Sequence, residues 1–409
     1  MTARCHTRNY TILTDATLAT APFGNSRKRI IMLIPFLRPK PPRLSQLVAE
    51  LEEIENSGIF SNYGPVNTRL EAALTRSLFG NLGGCLTVNN ATTGLMLAIR
   101  DVMKAPYDSR RRYALMPSFT FAATAHAAIW AGLVPLLCDI DPETWLPCAR
   151  SEEELLQKYK DQIDVIIPYA TFGNCLDLTR YDMLSNKYDV GIVVDAAASL
   201  GSKTETGAGF GEGFRWPVVF SMHATKTFAT AEAGLIYCSD PDRLARLRVM
   251  GNFGFGEPRT ATMPGLNSKL SEIGALLGLA KLEEFEDVIS AREALARTYI
   301  NNLPDFVFQR LTGNRVAYQF MPALLPKRLE RHREALFDKL SAAGIGAAQY
   351  FNPHIAEQPY FARLSAVGDL TVTADISRRI VCLPLSDDLT EREVLHVCAV
   401  IRSFMEDRR

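Results

Sequence analysis

The sequence predicts an α/β protein: a mostly parallel sheet flanked by helices, followed by a smaller α+β region. Three observations carry that expectation. Short apolar runs recur between about 60 and 240, separated by stretches long enough for a helix. These runs barely alternate in polarity, as in strands covered on both faces. Beyond about 305 the texture changes to shorter strands and two amphipathic helices.

Residues 1–33 mix basic, hydroxyl and small residues without periodicity. They lack the apolar centre and cleavage pattern of a secretory signal and read as a disordered extension, with Met32 a candidate start. Leu44, Leu47, Val48, Leu51 and Ile54 recur at helical spacing, and Gly58 follows as a stop. Strands are expected at 113–117, 135–139, 165–168, 191–195, 218–221 and 234–238. Helix-length segments between most of them imply crossovers. Residues 270–300 predict a long helix with Leu270, Ile273, Leu277 and Ala280 on one face. Further strands are expected at 316–321 and 380–385, and helices over 328–342 and 390–405. The expected organisation is an extension over 1–33, a large domain over 34–300 and a small domain over 301–409. The glycine run from Gly207 to Gly213 precedes a strand instead of joining a strand to a helix, so it reads as a loop and not a phosphate cradle.

Composition narrows the function classes. The 409 residues are 47% hydrophobic, enough for a large core. Lys+Arg and Asp+Glu number 45 each, so bulk charge gives no reason to bind nucleic acid or an anionic membrane. No apolar stretch approaches the ~20 residues that span a bilayer. The eight cysteines are scattered without a C-x-x-C pair, unlike a zinc site or a disulfide framework. They read as small buried hydrophobes in a reducing cytoplasm.

Ligands of parallel sheets collect at the carboxyl ends of strands, and three such ends carry polar chemistry. Asp195 closes an apolar run and is followed by Ala196-Ala197-Ala198. Small residues allow close approach to the backbone, although an aspartate there also suits a helix cap. Lys226 follows the strand ending at Ser221, in Ser221-Met222-His223-Ala224-Thr225-Lys226. A lysine in a low-dielectric site can lose its proton and attack a carbonyl; on an open loop it would be an ordinary surface lysine. The run Leu86-Thr87-Val88 ends in Asn89-Asn90-Ala91-Thr92-Thr93 and then turns helical. Free N–H groups and a helix dipole make that an anion site, with Asn90 or Thr92 also able to serve as a plain cap.

In order and texture these segments resemble the sugar aminotransferases of the DegT/DnrJ/EryC1/StrS group, from about Ile34 to the C-terminus. Tyr63-Gly64-Pro65-Val66 with Glu71 resembles the opening motif. The run Pro117-Ser118-Phe119-Thr120-Phe121-Ala122-Ala123-Thr124 matches closely, Asp139-Ile140-Asp141-Pro142-Glu143-Thr144 is another strong match, and Leu383-Pro384-Leu385 fits the small domain. The resemblance implies a type I pyridoxal-phosphate (PLP) transferase fold with a seven-stranded, mostly parallel sheet.

It also implies roles. Lys226 would hold PLP as an imine and then shuttle a proton. Asp195 would keep the pyridine nitrogen protonated, so that the ring accepts electrons. Phe121 would stack on the ring. Ser221, Ala91 and Thr92 would meet the phosphate, and Asn267, within Gly265-Leu266-Asn267-Ser268, would reach the phosphate of a neighbouring subunit or cap the next helix. His223 is expected near the cofactor without an acid–base role, and Asn252 is a weaker candidate at the same interface. Two departures stand out. Ala198 replaces a polar residue that meets the cofactor's phenolic oxygen, and Ala231-Glu232-Ala233-Gly234 replaces Gly-Glu-Gly-Gly.

The implied reaction moves an amino group from an amino acid, glutamate by resemblance, to a nucleotide-linked 4-keto-6-deoxyhexose. The product would serve a surface polysaccharide or natural-product glycan. A cytoplasmic homodimer with shared sites is implied. The alternatives are amination of a 3-keto sugar or keto-cyclitol, and a non-catalytic PLP-binding regulator.

Overall fold

The computed structural model describes residues 33–104 and 110–408; the expected extension lies outside them except for Leu33. A twisted sheet forms the centre. Its strands are β1 (Gly84–Val88), β2 (Tyr113–Pro117), β3 (Val134–Cys138) and β4 (Ile163–Ile166). Then come β5, a single extended run of two pieces (Gly191–Ile192 and Val194–Asp195), β6 (Val218–Ser221) and β7 (Gly234–Cys238). Spatial order is β1-β7-β6-β5-β4-β2-β3, with the short strand Ala366–Val367 beside β3. Only β7 is antiparallel to its neighbours within the seven. The expected seven-stranded, mostly parallel sheet is therefore present.

The helices are α1 (Val48–Ser57), α2 (Pro65–Leu78), α3 (Ala91–Val102), α4 (Ala122–Trp130), α5 (Ala149–Tyr159) and α6 (Leu178–Tyr188). They continue with α7 (Pro241–Met250) and the 31-residue α8 (Glu272–Asn302). Gly58 ends α1 in the left-handed conformation, as its place in the sequence predicts. Helices pack on both sheet faces, which is why β2, β4 and β6 are buried along their whole length. The glycine run is a loop, with Gly207, Gly211 and Gly213 at positive φ.

A second core gathers Leu295, Tyr299, Met321, Leu336, Val381 and Phe404 among others. Here β8 (Val307–Phe308), β9 (Met321–Leu324) and β10 (Ile380–Leu383) form an antiparallel sheet beside α9 (Arg333–Ala342), α10 (Thr371–Arg379) and α11 (Glu391–Glu406). Helix α8 contributes to this core and, through Phe285 and Ile289, to that of the main sheet. The expected strand over 316–321 begins only at Met321. The carbonyls of Tyr318 and Gln319 are taken by the Arg292 side chain, at 3.0 and 3.1 Å, instead of by a neighbouring strand.

Two buried carboxylates tie segments together. Glu272 accepts the N–H groups of Val66 and Asn67 at 2.7 and 3.1 Å, satisfying the start of α2. Asp139, just past β3, accepts the N–H groups of Val372 and Thr373 at 2.9 and 2.7 Å and the Thr373 hydroxyl at 2.7 Å, capping α10. All seven described cysteines are free, and no helix among the described residues is long and apolar enough to cross a membrane.

Replacing Asp139 with alanine strands those donors in a buried place. The Asp139→Ala protein is expected to lose about 2–4 kcal/mol of stability, read as a lower thermal midpoint, whereas a change below about 0.5 kcal/mol contradicts the capping role.

Candidate active site

Three strand ends converge on one edge of the sheet. Adjacent parallel strands β5 and β6 pair Asp195 with Val219. Two residues beyond, β6 ends at Ser221 and enters a tight turn, closed by the Lys226 N–H donating to the His223 carbonyl at 2.9 Å. Because β7 runs antiparallel, its first residue, Gly234, lies at the same edge. It pairs with Ser221 on one side and Val88 on the other. A Cβ on Gly234 would lie 2.6 Å from the Ala91 nitrogen. Glycine at 234 therefore lets the N-terminus of α3 approach Ser221. Ala231 and Ala233 need no such freedom, which fits the replaced glycines.

Helix α3 opens on Asn90, whose side chain accepts the Thr93 N–H at 2.9 Å. The plain-cap reading is thus correct for Asn90. The N–H groups of Ala91 and Thr92, in the first turn, have no intrahelical acceptor. With the Ser221 hydroxyl they make a corner suited to an anion.

Asp195 is 2% exposed. Its Oδ2 accepts the Thr124 hydroxyl at 2.5 Å and its Oδ1 the Ala197 N–H at 3.1 Å. Burial raises its carboxyl above the ordinary aspartate range; these hydrogen bonds and the positive charge of Lys226 offset that only in part. Among the described residues the carboxylate has no full counter-charge. Burial also brings the Lys226 amine down to about 8, opposed by Asp195. A cation placed against Asp195 would satisfy the carboxyl, and an amine so lowered is a nucleophile near neutral pH.

Phe121 caps α4 and is 55% exposed, its ring available to a ligand. It lines a cleft of about 670 Å³ together with His126, Gln349, Tyr350, Phe351 and Tyr360. None of the lining residues is Asp, Glu, Lys or Arg, and the Gln349 Oε1 is buried without a partner among the described residues. The loop over residues 348–361 that lines this cleft is pinned to the end of β2. The Ser118 hydroxyl lies 2.8 Å from His354 Nδ1 and accepts the Ala356 N–H at 3.1 Å.

Asn267 is exposed and bridges Asn252; the cap of α8 is Ser271 instead, so the capping alternative for Asn267 is set aside. The same segment touches the site edge in its own chain, where the Asn89 N–H donates to the Ser268 carbonyl at 2.6 Å. His223 is turned to Thr225, at 2.8 Å from Nδ1, and to Glu232, at 3.4 Å from Nε2. Ala198 offers no polar group. The amide that meets Lys226 comes from Gln319, at 3.0 Å from Nζ, a residue that sequence reasoning missed. A signal existed: an amide interrupting the aromatic pair Tyr318 and Phe320.

The donors at the α3 corner can hold a phosphate, Asp195 can face a basic ring nitrogen, and Lys226 can bond an aldehyde carbon. PLP carries all three groups, and these residues fit it. Solved structures agree on the class. A Bacillus cereus protein assigned as a PLP-dependent aminotransferase is 36% identical, with a TM-score of 0.85 over 90% of this chain and 99% of that one. DesI, determined in the presence of its TDP-sugar product, is 25% identical with a TM-score of 0.80 over 91% and 93%. Residues 44–402 match the DegT/DnrJ/EryC1/StrS aminotransferase family, and the chain belongs to it. It is a PLP-dependent transaminase with the type I fold. Protein Rv3402c of Mycobacterium tuberculosis is 33% identical over 90% of this chain and 89% of its own. A dTDP-4-amino-4,6-dideoxy-D-glucose transaminase of Shigella dysenteriae is 27% identical over 90% and 98%.

The lowered amine sets a pH dependence. Neutral Lys226 is the reactive form, so in the cofactor-free protein its acylation rate should rise with pH and level off around a midpoint near 8. Peptide-level mass spectrometry reads this; a midpoint near the ordinary lysine value of about 10.4 contradicts it.

Proposed function

We propose that this protein transfers an amino group from an amino acid, glutamate first among candidates, to a ketone on a nucleotide-linked 4-keto-6-deoxyhexose. The observation that carries the reading is the convergence of Asp195 and Lys226 on neighbouring strand ends, beside the anion corner of Ala91, Thr92 and Ser221. The choice of a 4-keto sugar follows the Shigella relative, a dTDP-4-amino-4,6-dideoxy-D-glucose transaminase, and the choice of a nucleotide-linked sugar follows DesI as well, which was determined with its TDP-sugar product.

In this reading Lys226 bonds the cofactor, and Asp195 holds a proton on the pyridine nitrogen. Ser221 with the Ala91 and Thr92 N–H groups binds the phosphate, and Phe121 lies against the ring. Bound PLP supplies an electron sink for breaking a C–H bond next to nitrogen. The chain's own part is positional. Thr124 fixes the Asp195 carboxylate, so its charge points one way without reorganisation. Lys226, lowered by burial, can take a proton near neutral pH and return it.

The aromatic cleft supports a hexose acceptor. Its rings offer faces to sugar C–H groups, while Gln349 and Asn352 offer amides to hydroxyls. The uncharged walls leave the diphosphate outside the cleft. In this reading the enzyme is a homodimer, and Asn267, which is exposed, reaches the site of the second copy. A cytoplasmic enzyme supplying a surface or natural-product glycan completes the reading.

With PLP, L-glutamate and dTDP-4-keto-6-deoxyglucose, the protein is expected to form the aminated nucleotide sugar and 2-oxoglutarate in equal amounts, read by mass spectrometry. Turnover of a 3-keto nucleotide sugar or a keto-cyclitol in its place would contradict the substrate assignment.

A further inference from the structure

The side chain of Gln319 reaches the active site from the second core. We propose that Gln319 is a positioning residue that holds the free amine of Lys226 on a defined path for proton transfer. This rests on the reading of Lys226 as the cofactor-bearing lysine. The Gln319 Oε1 accepts from Lys226 Nζ at 3.0 Å, and its Nε2 donates to the Thr225 carbonyl at 3.1 Å. Both bonds require the amide in this orientation. Reversed, it would set NH₂ against the lysine donors and oxygen against a carbonyl oxygen.

The amide is itself held from behind. Arg292 of α8 donates through Nη1 to the carbonyls of Tyr318, Gln319 and Leu385, at 3.0, 3.1 and 2.9 Å. Its Nε donates to Asp387 at 2.7 Å. Gln319 is 9% exposed and Arg292 5%. A buried ion pair therefore fixes the backbone that carries the amide.

The physical need is clear. A lysine not bonded to a carbonyl carbon regains a flexible four-carbon stem and the rotamer freedom that goes with it. An acceptor at one side of Nζ restricts that freedom. It takes an N–H, so the lone pair of the neutral amine remains available to receive a proton. A misplacement near 1 Å at such a base costs about a hundredfold in rate. Gln319 thus acts through Lys226 and touches no reacting carbon.

The test compares wild type, Gln319→Leu and Gln319→Glu. In the PLP-loaded protein, loss of deuterium from α-deuterated L-glutamate to water is followed in a single turnover. In the cofactor-free protein, the pH midpoint of Lys226 acylation is measured. Gln319→Leu should slow deuterium loss about ten- to a hundredfold, with borohydride still fixing pyridoxal to Lys226 at the wild-type level. It should also lower the acylation midpoint, because the charged amine loses an acceptor. Gln319→Glu, nearly isosteric, should raise that midpoint and so preserves the test if leucine disturbs packing. Deuterium loss within about twofold of wild type in Gln319→Leu, or acylation midpoints unmoved in both variants, overturns the assignment. So does loss of fixation at Lys226, which marks a general collapse. Wild-type protein that fixes pyridoxal but loses no deuterium overturns the transaminase reading itself, and this inference with it.

Discussion

Burial acts on Asp195 and Lys226 in the same sense. It disfavours the charged form of each, raising the carboxyl and lowering the amine. Left alone, the two would relieve the strain by sharing charge as an ion pair, and a paired lysine is a poor nucleophile. The structure instead commits the carboxylate to Thr124 and the Ala197 N–H, and the amine to Gln319. Each keeps one unmet requirement: a cation for Asp195, an electrophilic carbon for Lys226. A protonated ring nitrogen and an aldehyde on one flat molecule meet both.

Holding such an arrangement requires a rigid surround. Adjacent parallel strands give Asp195 and the turn leading to Lys226 a fixed spacing, and the reversed β7 brings Gly234 to the same edge, leaving space for the α3 corner. The second core participates directly. Asp139 caps α10, Ser118 and His354 pin the cleft loop, and Arg292 secures the backbone of Gln319. Burial lowers the His354 imidazole, so that pin works as a neutral hydrogen bond. The site is thus framed from both cores of the chain.

Much of this could be read from residues alone. The apolar runs gave the sheet because strands buried on both faces leave an uninterrupted signature. Strand-end logic singled out Asp195, Lys226 and the Asn90–Thr92 turn because ligands of parallel sheets collect at the carboxyl ends of strands, and the structure brings those segments to one edge of the sheet. What escaped were contacts between residues far apart in sequence. Gln319 lies 93 positions from Lys226, and no local pattern links them. The same holds for Ser118 with His354, and for the cleft that joins Phe121 to residues 348–361. The strand expected over 316–321 began late for a related reason: a distant arginine took the carbonyls that a neighbouring strand would have taken.

The site works as described only if Lys226 bonds the cofactor while Asp195 faces its ring. Borohydride reduction of the PLP-loaded protein, followed by peptide mapping in wild type and Asp195→Ala, tests it most directly. The label is expected on Lys226 in both proteins, with weaker retention of pyridoxal before reduction in Asp195→Ala. A label on any other lysine, or retention indifferent to Asp195, would contradict it.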